Sequence, residues 1–447
     1  MNINTTPLEP WILQKITGSS SGVLTRKLLE DYQLTKLRET LHGVKGKSRF
    51  YQRHYEGLDC TIKNIGDLTK LPFTTPEDIK DNPLDFLCVS QNDISRIVTL
   101  QTSGTTGKPK RLFFSESDQE LTIDFFHHGM LTLVSPGDRI LILLPGEIPG
   151  SVGDLLRLGL ERAGATGIVH GIVSNPESAL EHIIRENINV IVGIPTQVLN
   201  LARFIQSTGS STLLKIKSVL LSTDYVPLTV VNELKRFWGC QVFNHYGMTE
   251  MGFGGGIECA GFCGYHLREA DLYIEVIDPR TGEPVPDGGP GEIVFTTLTR
   301  SAMPLIRYRT GDISRFLPSQ CSCNTVLKRL ERLKSRDRVF LNEIDFLSIS
   351  DFDEVLFSLS DVVDFEVILT EQEKHNRLNI TIQLREPVST AIERIVLQSI
   401  AEIPALKADE QRGNLKVHLN FTSSPEINSL KSSAKRQIQD RRKSVLN

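Results

Sequence analysis

Nine consecutive residues, Thr102-Ser103-Gly104-Thr105-Thr106-Gly107-Lys108-Pro109-Lys110, bring together four hydroxyls, two glycines and two lysines. Glycine reaches positive φ at little cost, so successive N–H groups of such a stretch can turn inward and cradle an anion. The hydroxyls add contacts to phosphate oxygens, and the lysines add charge. A Walker A loop needs four residues between its glycines and then Lys-Ser or Lys-Thr. Here two residues separate Gly104 from Gly107 and Pro109 follows Lys108, so the loop is of another kind. Two more groups end in a carboxylate: His245-Tyr246-Gly247-Met248-Thr249-Glu250 and Tyr308-Arg309-Thr310-Gly311-Asp312. A fourth set contains sulfur. Cys259 and His266 have six residues between them, and Cys321 and Cys323 form a Cys-x-Cys. Three thiolates and one imidazole suit a closed tetrahedral zinc site, with Cys263 as a substitute ligand. The spacing matches no standard zinc finger. Cys60, Cys88 and Cys240 read as core cysteines.

The elements that must position these groups follow from periodicity. Strand-like stretches at 139–144, 166–170, 189–194, 218–221 and 241–244 alternate with helical ones at 152–163, 177–187, 196–205 and 228–238. That alternation predicts βαβ crossovers and a mostly parallel sheet covered on both faces. Residues 1–90 read as helical and irregular, with stops at Pro72, Pro76 and Pro83. Short strands at 272–277, 292–297, 305–309 and 313–316, separated by turn signals, predict a small antiparallel β-unit. Beyond about residue 330 the order is helix 351–359, strands 362–370 and 377–385, helix 388–403 and strand 415–422. The fold class is therefore α/β. Residues 1–330 are a large N-terminal domain with a β-subdomain at about 265–320, and 331–447 are a small α+β lid.

Composition narrows the function. At roughly 150 residues per domain, 447 residues allow about three domains or subdomains. The chain is 39% hydrophobic and 23% charged, which excludes a disordered or fibrous protein. Fifty basic against 54 acidic residues leave a net charge of −4, with no basic excess for nucleic acid. The longest apolar runs fall far short of the roughly 20 residues that span a bilayer. Residues 1–18 show no basic-then-apolar leader, and seven cysteines make no disulfide framework, so a cytoplasmic setting is expected.

The phosphate loop, the Tyr246-Gly-x-Thr-Glu run and the Tyr308-x-Thr-Gly-Asp run stand in order. Together they resemble the signatures of the adenylate-forming, AMP-binding superfamily of acyl-CoA synthetases. Leu71-Pro72-Phe73-Thr74-Thr75 and the run from Pro290 to Thr299, continuing into Pro304 to Arg309, are similar to the phenylacetate-CoA ligase branch. The resemblance covers roughly residues 30–335. It implies that Thr102, Ser103, Gly104, Thr105, Thr106, Gly107, Lys108 and Lys110 hold the β- and γ-phosphates of ATP. It implies that Tyr246 stacks on adenine, Thr249 bonds the α-phosphate, Glu250 ligates Mg²⁺ and Asp312 accepts from the ribose hydroxyls. Asp224 falls where the family lays a turn along adenine. The acid pocket is expected near 146–153, 193–196 and Tyr246. That branch also has Cys and His at places similar to Cys259, His266, Cys321 and Cys323.

The lid departs from its relatives. The family places a lysine in a Gly-Lys-x-x-Arg setting, where this chain reads Ser432-Ser433-Ala434-Lys435-Arg436. Ser433 replaces the lysine, leaving Lys431 or Lys435 as substitutes. The basic C-terminal segment otherwise reads as a solvated helix. The hinge segment is Lys334-Ser335-Arg336-Asp337-Arg338, in which Arg336 would meet ribose. The expected reaction is ATP-dependent activation of a carboxylic acid, aryl or short acyl, to an acyl-adenylate, followed by thioester formation with coenzyme A. A carrier-protein or amine acceptor, and a degenerate nucleotide-binding module, are the alternatives. Expected partners are the acid, ATP and coenzyme A, with a homodimer as the assembly and neither nucleic acid nor membrane.

Overall fold

The computed structural model describes residues 5–100, 108–210, 214–333, 339–342, 345–372, 375–385, 387–422 and 436–442. It divides into two compact units, residues 1–171 with 243–333, and residues 172–242 with 334–447.

In the first unit the N-terminal segment is helical and irregular as expected, with helices Leu8–Thr17, Arg26–Lys47, Arg49–His54 and Pro76–Asp81. Pro76 opens its helix instead of stopping one. Thr75 accepts from the Asp78 N–H and Asp78 bonds back to Thr75, a capping box with proline at the first position. Pro83 likewise begins a short 3₁₀ turn, Pro83–Phe86. Strands Ile94–Leu100 and Lys110–Ser115 pair antiparallel up to Leu100 opposite Lys110. The phosphate-loop residues 102–107 connect these two strands and lie outside the described residues. Ser115 then caps helix Glu116–Met130 in a capping box with Asp118.

Strands Arg139–Leu143 and Thr166–Val169 pair in parallel across helix Val152–Arg162, a βαβ unit as the alternation predicts. That helix buries Leu155, Leu156 and Leu160. Its glycines are packing requirements. A Cβ at Gly159 would lie 2.9 Å from the His127 nitrogen and the Phe126 Cβ, and one at Gly153 would lie 2.8 Å from the Pro145 oxygen. Gly153 thus packs directly on the 144–146 backbone, while Glu147, Ile148 and Pro149 between them are exposed.

Leu272–Ile277, Gly291–Thr297 and Tyr308–Ser314 form a three-stranded antiparallel sheet. The last strand replaces the separate strands expected at 305–309 and 313–316. Its register slips where Glu292 faces Ile313 and Val294 faces Arg309, and Gly311 has φ +75°. This is a β-bulge, which keeps the strand continuous while re-aiming the side chains inside it. Thr74 pairs with this strand: its N–H donates to the Arg307 carbonyl at 3.1 Å, and Arg309 N–H donates back to Thr74 at 3.0 Å. The core beneath includes Ile293, Phe295, Leu305, Tyr308 and Phe114, all essentially inaccessible. Burying each such side chain is worth about 1.5–3 kcal/mol.

The second unit contains the parallel strands Val190–Gly193 and Ser218–Leu221 with helices Pro176–Arg185, Pro195–Ser207 and Leu228–Trp238. It also contains a four-stranded sheet in the order Leu415–Thr422, His375–Leu384, Val362–Gln372, Gln439–Asp440. The helix expected at 388–403 forms as Thr390–Ala401, and a second helix, Pro404–Gln411, follows where none was expected. Proline cannot continue the preceding ladder, and it starts a new helix well. The C-terminal segment corrects the sequence reading further. Residues 436–442 are not helical, and Gln439–Asp440 runs parallel to Val362–Gln372. Arg436 is half-buried against Asp353 and lies 3.3 Å from Asp364, and Ile438 nearby is buried. An arginine with two buried carboxylate partners holds this stretch where a solvated helix would have none.

Candidate active site

Glu250 sits in the 3₁₀ turn Thr249–Met251, just after strand Gln241–Tyr246. The turn is tight for a reason visible in the sequence. A Cβ at Gly247 would fall 2.1 Å from the Phe253 carbonyl oxygen, so only glycine lets residues 247–253 fold back this closely. Phe253 N–H donates to the Met248 carbonyl at 2.9 Å and Gly252 N–H to that of Thr249 at 3.0 Å. Thr249 stays half-buried and Glu250 is buried.

Three residues distant in sequence meet there. Lys110, at the start of the strand after the phosphate loop, forms an ion pair with Glu250. Tyr308 donates its hydroxyl to the same Glu250 oxygen at 3.2 Å and receives Lys110 Nζ at 3.2 Å. Arg300 braces the turn from behind. Its Nη1 donates to the Glu250 carbonyl at 2.7 Å and its Nη2 to the Phe113 carbonyl at 3.0 Å, so one buried guanidinium ties the Glu250 turn to the strand bearing Lys110. Burial lowers the pKa of Arg300. Tyr308 and Arg300 carry parts of the site that the sequence reading did not assign. Arg300 directly follows the 290–299 run, but only its burial reveals the role. Lys108, in contrast, is exposed and sits 4.0 Å from Asp81.

Tyr246 and Asp312 also meet. The Tyr246 hydroxyl donates to Asp312 Oδ2 at 3.0 Å, and both side chains are buried. Asp312 lies in the bulge described above; its N–H bonds the Thr310 hydroxyl at 3.0 Å, and Gly311 N–H reaches Glu292 at 3.1 Å. The motif glycine therefore serves the bulge that places Asp312.

The sulfur-bearing residues converge as a separate cluster in the same unit. Cys259, His266, Cys321 and Cys323 are all buried, and their ligand atoms lie within 4.8 Å of one another. Cys259 Sγ is 3.5 Å from Cys321 Sγ, and Cys323 Sγ is 3.4 Å from His266 Nε2. Gly261 N–H donates to Cys259 Sγ at 3.3 Å, and a Cβ at Gly261 would crowd Ser322 Oγ at 2.7 Å. Hydrogen bonds from Cys259 and His266 hold the Cys323 thiol well below its ordinary value. Cys263 is exposed and stays outside the cluster. Glu9 of the first helix accepts from Val326 N–H at 3.0 Å and fixes the loop after Cys323. Cys88 and Cys240 are buried as expected, but Cys60 is only partly covered, in an irregular loop.

In the second unit, Asp224 accepts from Tyr225 N–H at 2.8 Å and from Arg436 N–H at 3.5 Å. Three carboxylates, Asp224, Asp353 and Asp364, surround the Arg436 guanidinium, and burial pushes Asp353 up to about 7. Thr102 to Gly107, Arg336, Lys431 and Lys435 lie outside the described residues. No described helix is long and apolar enough to cross a membrane.

A buried glutamate facing the lysine of a glycine-rich phosphate loop, an α/β body and an appended α+β sheet define an adenylate-forming enzyme. Residues 61–299 match the family model described as AMP-binding enzyme, and the chain belongs to that family. It is 30% identical over 319 residues to the phenylacetate-coenzyme A ligase of Escherichia coli, covering 69% of this chain and 71% of the relative. It is 27% identical over 390 residues to the phenylacetate-coenzyme A ligase of Thermus thermophilus, covering 84% and 85%. Among solved structures it is similar to a 2-hydroxyisobutyryl-CoA ligase in the postadenylation state (TM-score 0.78, 19% identity, 92% of this chain and 89% of that one). That likeness concerns the fold.

Proposed function

We propose that this chain is an AMP-forming acid–CoA ligase. A carboxylate oxygen of the acid attacks the α-phosphorus of ATP, and pyrophosphate leaves. The sulfur of coenzyme A then attacks the acyl carbon of the adenylate, and AMP leaves. The observation that carries this reading is the convergence of Lys110, the last residue of the hydroxyl- and glycine-rich run, with Glu250 and Tyr308. Such transfers need charge neutralisation and positioning more than a side-chain nucleophile.

On this reading Glu250 would hold Mg²⁺, a hard cation that takes carboxylate and phosphate oxygens. The Lys110–Glu250 pair supports that role. It keeps both charges neutralised without ligand, and nucleotide binding would exchange the pair for a lysine–phosphate and a glutamate–metal contact. Thr249 would bond the α-phosphate, and Tyr246 and Asp312 would meet adenine and ribose, with Arg336 on the ribose and Asp224 along the base. Residues 1–330 would form the nucleotide-binding domain, with the β-subdomain at about 265–320, and 331–447 the lid. Cys259, His266, Cys321 and Cys323 would hold one structural Zn²⁺; a soft, closed, buried set of four supports zinc over a hard cation. The free thiols fit a reducing cytoplasm.

The acid is an aryl or short acyl carboxylate, in line with what the phenylacetate-coenzyme A ligases are named for. The test is acid-dependent ATP–pyrophosphate exchange over a panel of such acids, followed by AMP release on adding coenzyme A. Exchange without AMP release would transfer the second step to another acceptor. No exchange with any acid would favour a degenerate relative, a reading that Ser433 in place of the family lysine supports.

Charge near the α-phosphate acts strongly in a water-poor site, and serine cannot supply it. Either Lys431→Ala or Lys435→Ala, not both equally, is expected to impair adenylation while leaving ATP affinity nearly unchanged. Single-turnover adenylate formation checks this. Fast adenylation in wild type and both variants would remove these lysines from the mechanism. Activity restored by Ser433→Lys to an inactive wild type would identify a degenerate chain.

A further inference from the structure

Helix Glu116–Met130 carries a second group of metal-ligating side chains, none of which has a part in the nucleotide site or the cysteine cluster. Asp124, His127 and His128 each offer one ligand atom, and these atoms lie within 4.8 Å of one another. The spacing of three and four residues puts all three on one helical face. They are half-buried, open to solvent on one side.

What separates this group from a chance surface cluster is how two of its members are held. His128 Nδ1 is 2.9 Å from the Asp124 main-chain carbonyl. A carbonyl can only accept, so the ring proton of the neutral imidazole is committed to Nδ1 and Nε2 carries the lone pair. Metal-ligating histidines are typically oriented by a hydrogen bond of this kind from the other ring nitrogen. Trp11, itself buried, stacks on the His128 ring at 5.2 Å and 17°. The same indole donates Nε1–H to Asp124 Oδ2 at 3.1 Å. One side chain from helix Leu8–Thr17 thus fixes both the imidazole plane and the carboxylate.

The neighbouring cations have partners of their own. Arg162 lies 3.9 Å from Asp124 but donates through both terminal nitrogens to Glu120. Lys15 sits over Trp11 at 5.0 Å and is paired with Asp271 at 2.6 Å. Their net repulsion of a dication is correspondingly small, although it weakens binding.

We propose that Asp124, His127 and His128 form a second metal site, for a divalent first-row transition metal of the zinc class, and that Trp11 is its positioning residue. Two imidazoles and one carboxylate on a single face leave coordination positions open to solvent, the donor set of an exchangeable site and not of a closed structural one. Hard cations such as Mg²⁺ and Ca²⁺ would find too few oxygens here.

The test uses the full chain and Zn²⁺ as probe, by equilibrium dialysis with metal analysis. Wild type should bind one more zinc per chain than His127→Ala/His128→Ala, and the Cys321→Ser variant should retain that extra ion. Trp11→Phe keeps a ring for stacking but removes the Nε1 donor, and should weaken the extra ion about tenfold. Added Zn²⁺ should raise the melting temperature of wild type more than that of the double variant, because an ion that binds the folded chain and not the unfolded one stabilises the fold. Equal zinc uptake by wild type and the double variant would overturn the site. Wild-type affinity in Trp11→Phe would overturn the role of Trp11. If the double variant melts abnormally in chelator, His127→Gln takes its place and must likewise lose the ion.

Discussion

Replacing Glu250 by glutamine is expected to lower acid-dependent pyrophosphate release by more than about a hundredfold, several kcal/mol of transition-state stabilisation. Glutamine keeps the shape and the hydrogen bond from Tyr308 but removes the charge that would hold the metal. It also leaves Lys110, which has 13% side-chain exposure, without its counter-charge. Removing one member of a buried pair can cost about 3–5 kcal/mol of stability, so thermal melting must accompany the kinetics. Asp312→Asn is the cleaner partner experiment. The asparagine oxygen can still accept from Tyr246, so the buried geometry survives and only the charge and one acceptor are lost. A similar rate loss with a near-wild-type melting temperature is expected. Near-wild-type pyrophosphate release from both variants would refute the assignment of this site.

Cys321→Ser and His266→Ala are expected to lose about one zinc per chain and to lower the melting temperature by about 10 °C or more. A structural zinc contributes its binding free energy to folding, and each kcal/mol moves the midpoint of a domain this size by about 2–4 °C. The cluster joins strand Tyr265–Leu267 and the turn that begins at Cys259 to the loop that carries Cys321 and Cys323, so its loss should loosen that edge first. The Cys263→Ser control should bind zinc normally, because Cys263 is exposed and outside the cluster. Chelator-free protein that contains no zinc, or variants that melt like wild type, would refute the metal site.

Much of this protein could be read from local pattern. The alternation of strand and helix from 139 to 246 was readable because each element buries a stripe whose period is written in consecutive residues. Glycines at 247 and 311 marked the turn and the bulge, since a side chain at the first would strike a backbone oxygen and the second holds positive φ. The family motifs marked Glu250 and Asp312 directly. Other features depended on the tertiary structure. The merging of 305–316 into one bulged strand needed Thr74 and the 291–297 strand beside it. The helix that starts at Pro404 was not expected, and the strand at 439–440 replaced expected helix, the latter because Arg436 finds buried carboxylates in its own unit.

Which cysteines converge was likewise undecided by spacing. Cys263 is nearer to His266 in sequence than Cys259 is, but the turn at 259–262 leaves only Cys259 buried among the other thiols. The pairing of Lys110 with Glu250 spans 140 residues, and that of Trp11 with Asp124 spans 113. Periodicity and turn chemistry act over a few residues and are present in the sequence itself. Ion pairs, metal-donor sets and buried guanidinium braces arise only when packing brings distant segments within about 3 Å, the range over which a hydrogen bond has strength.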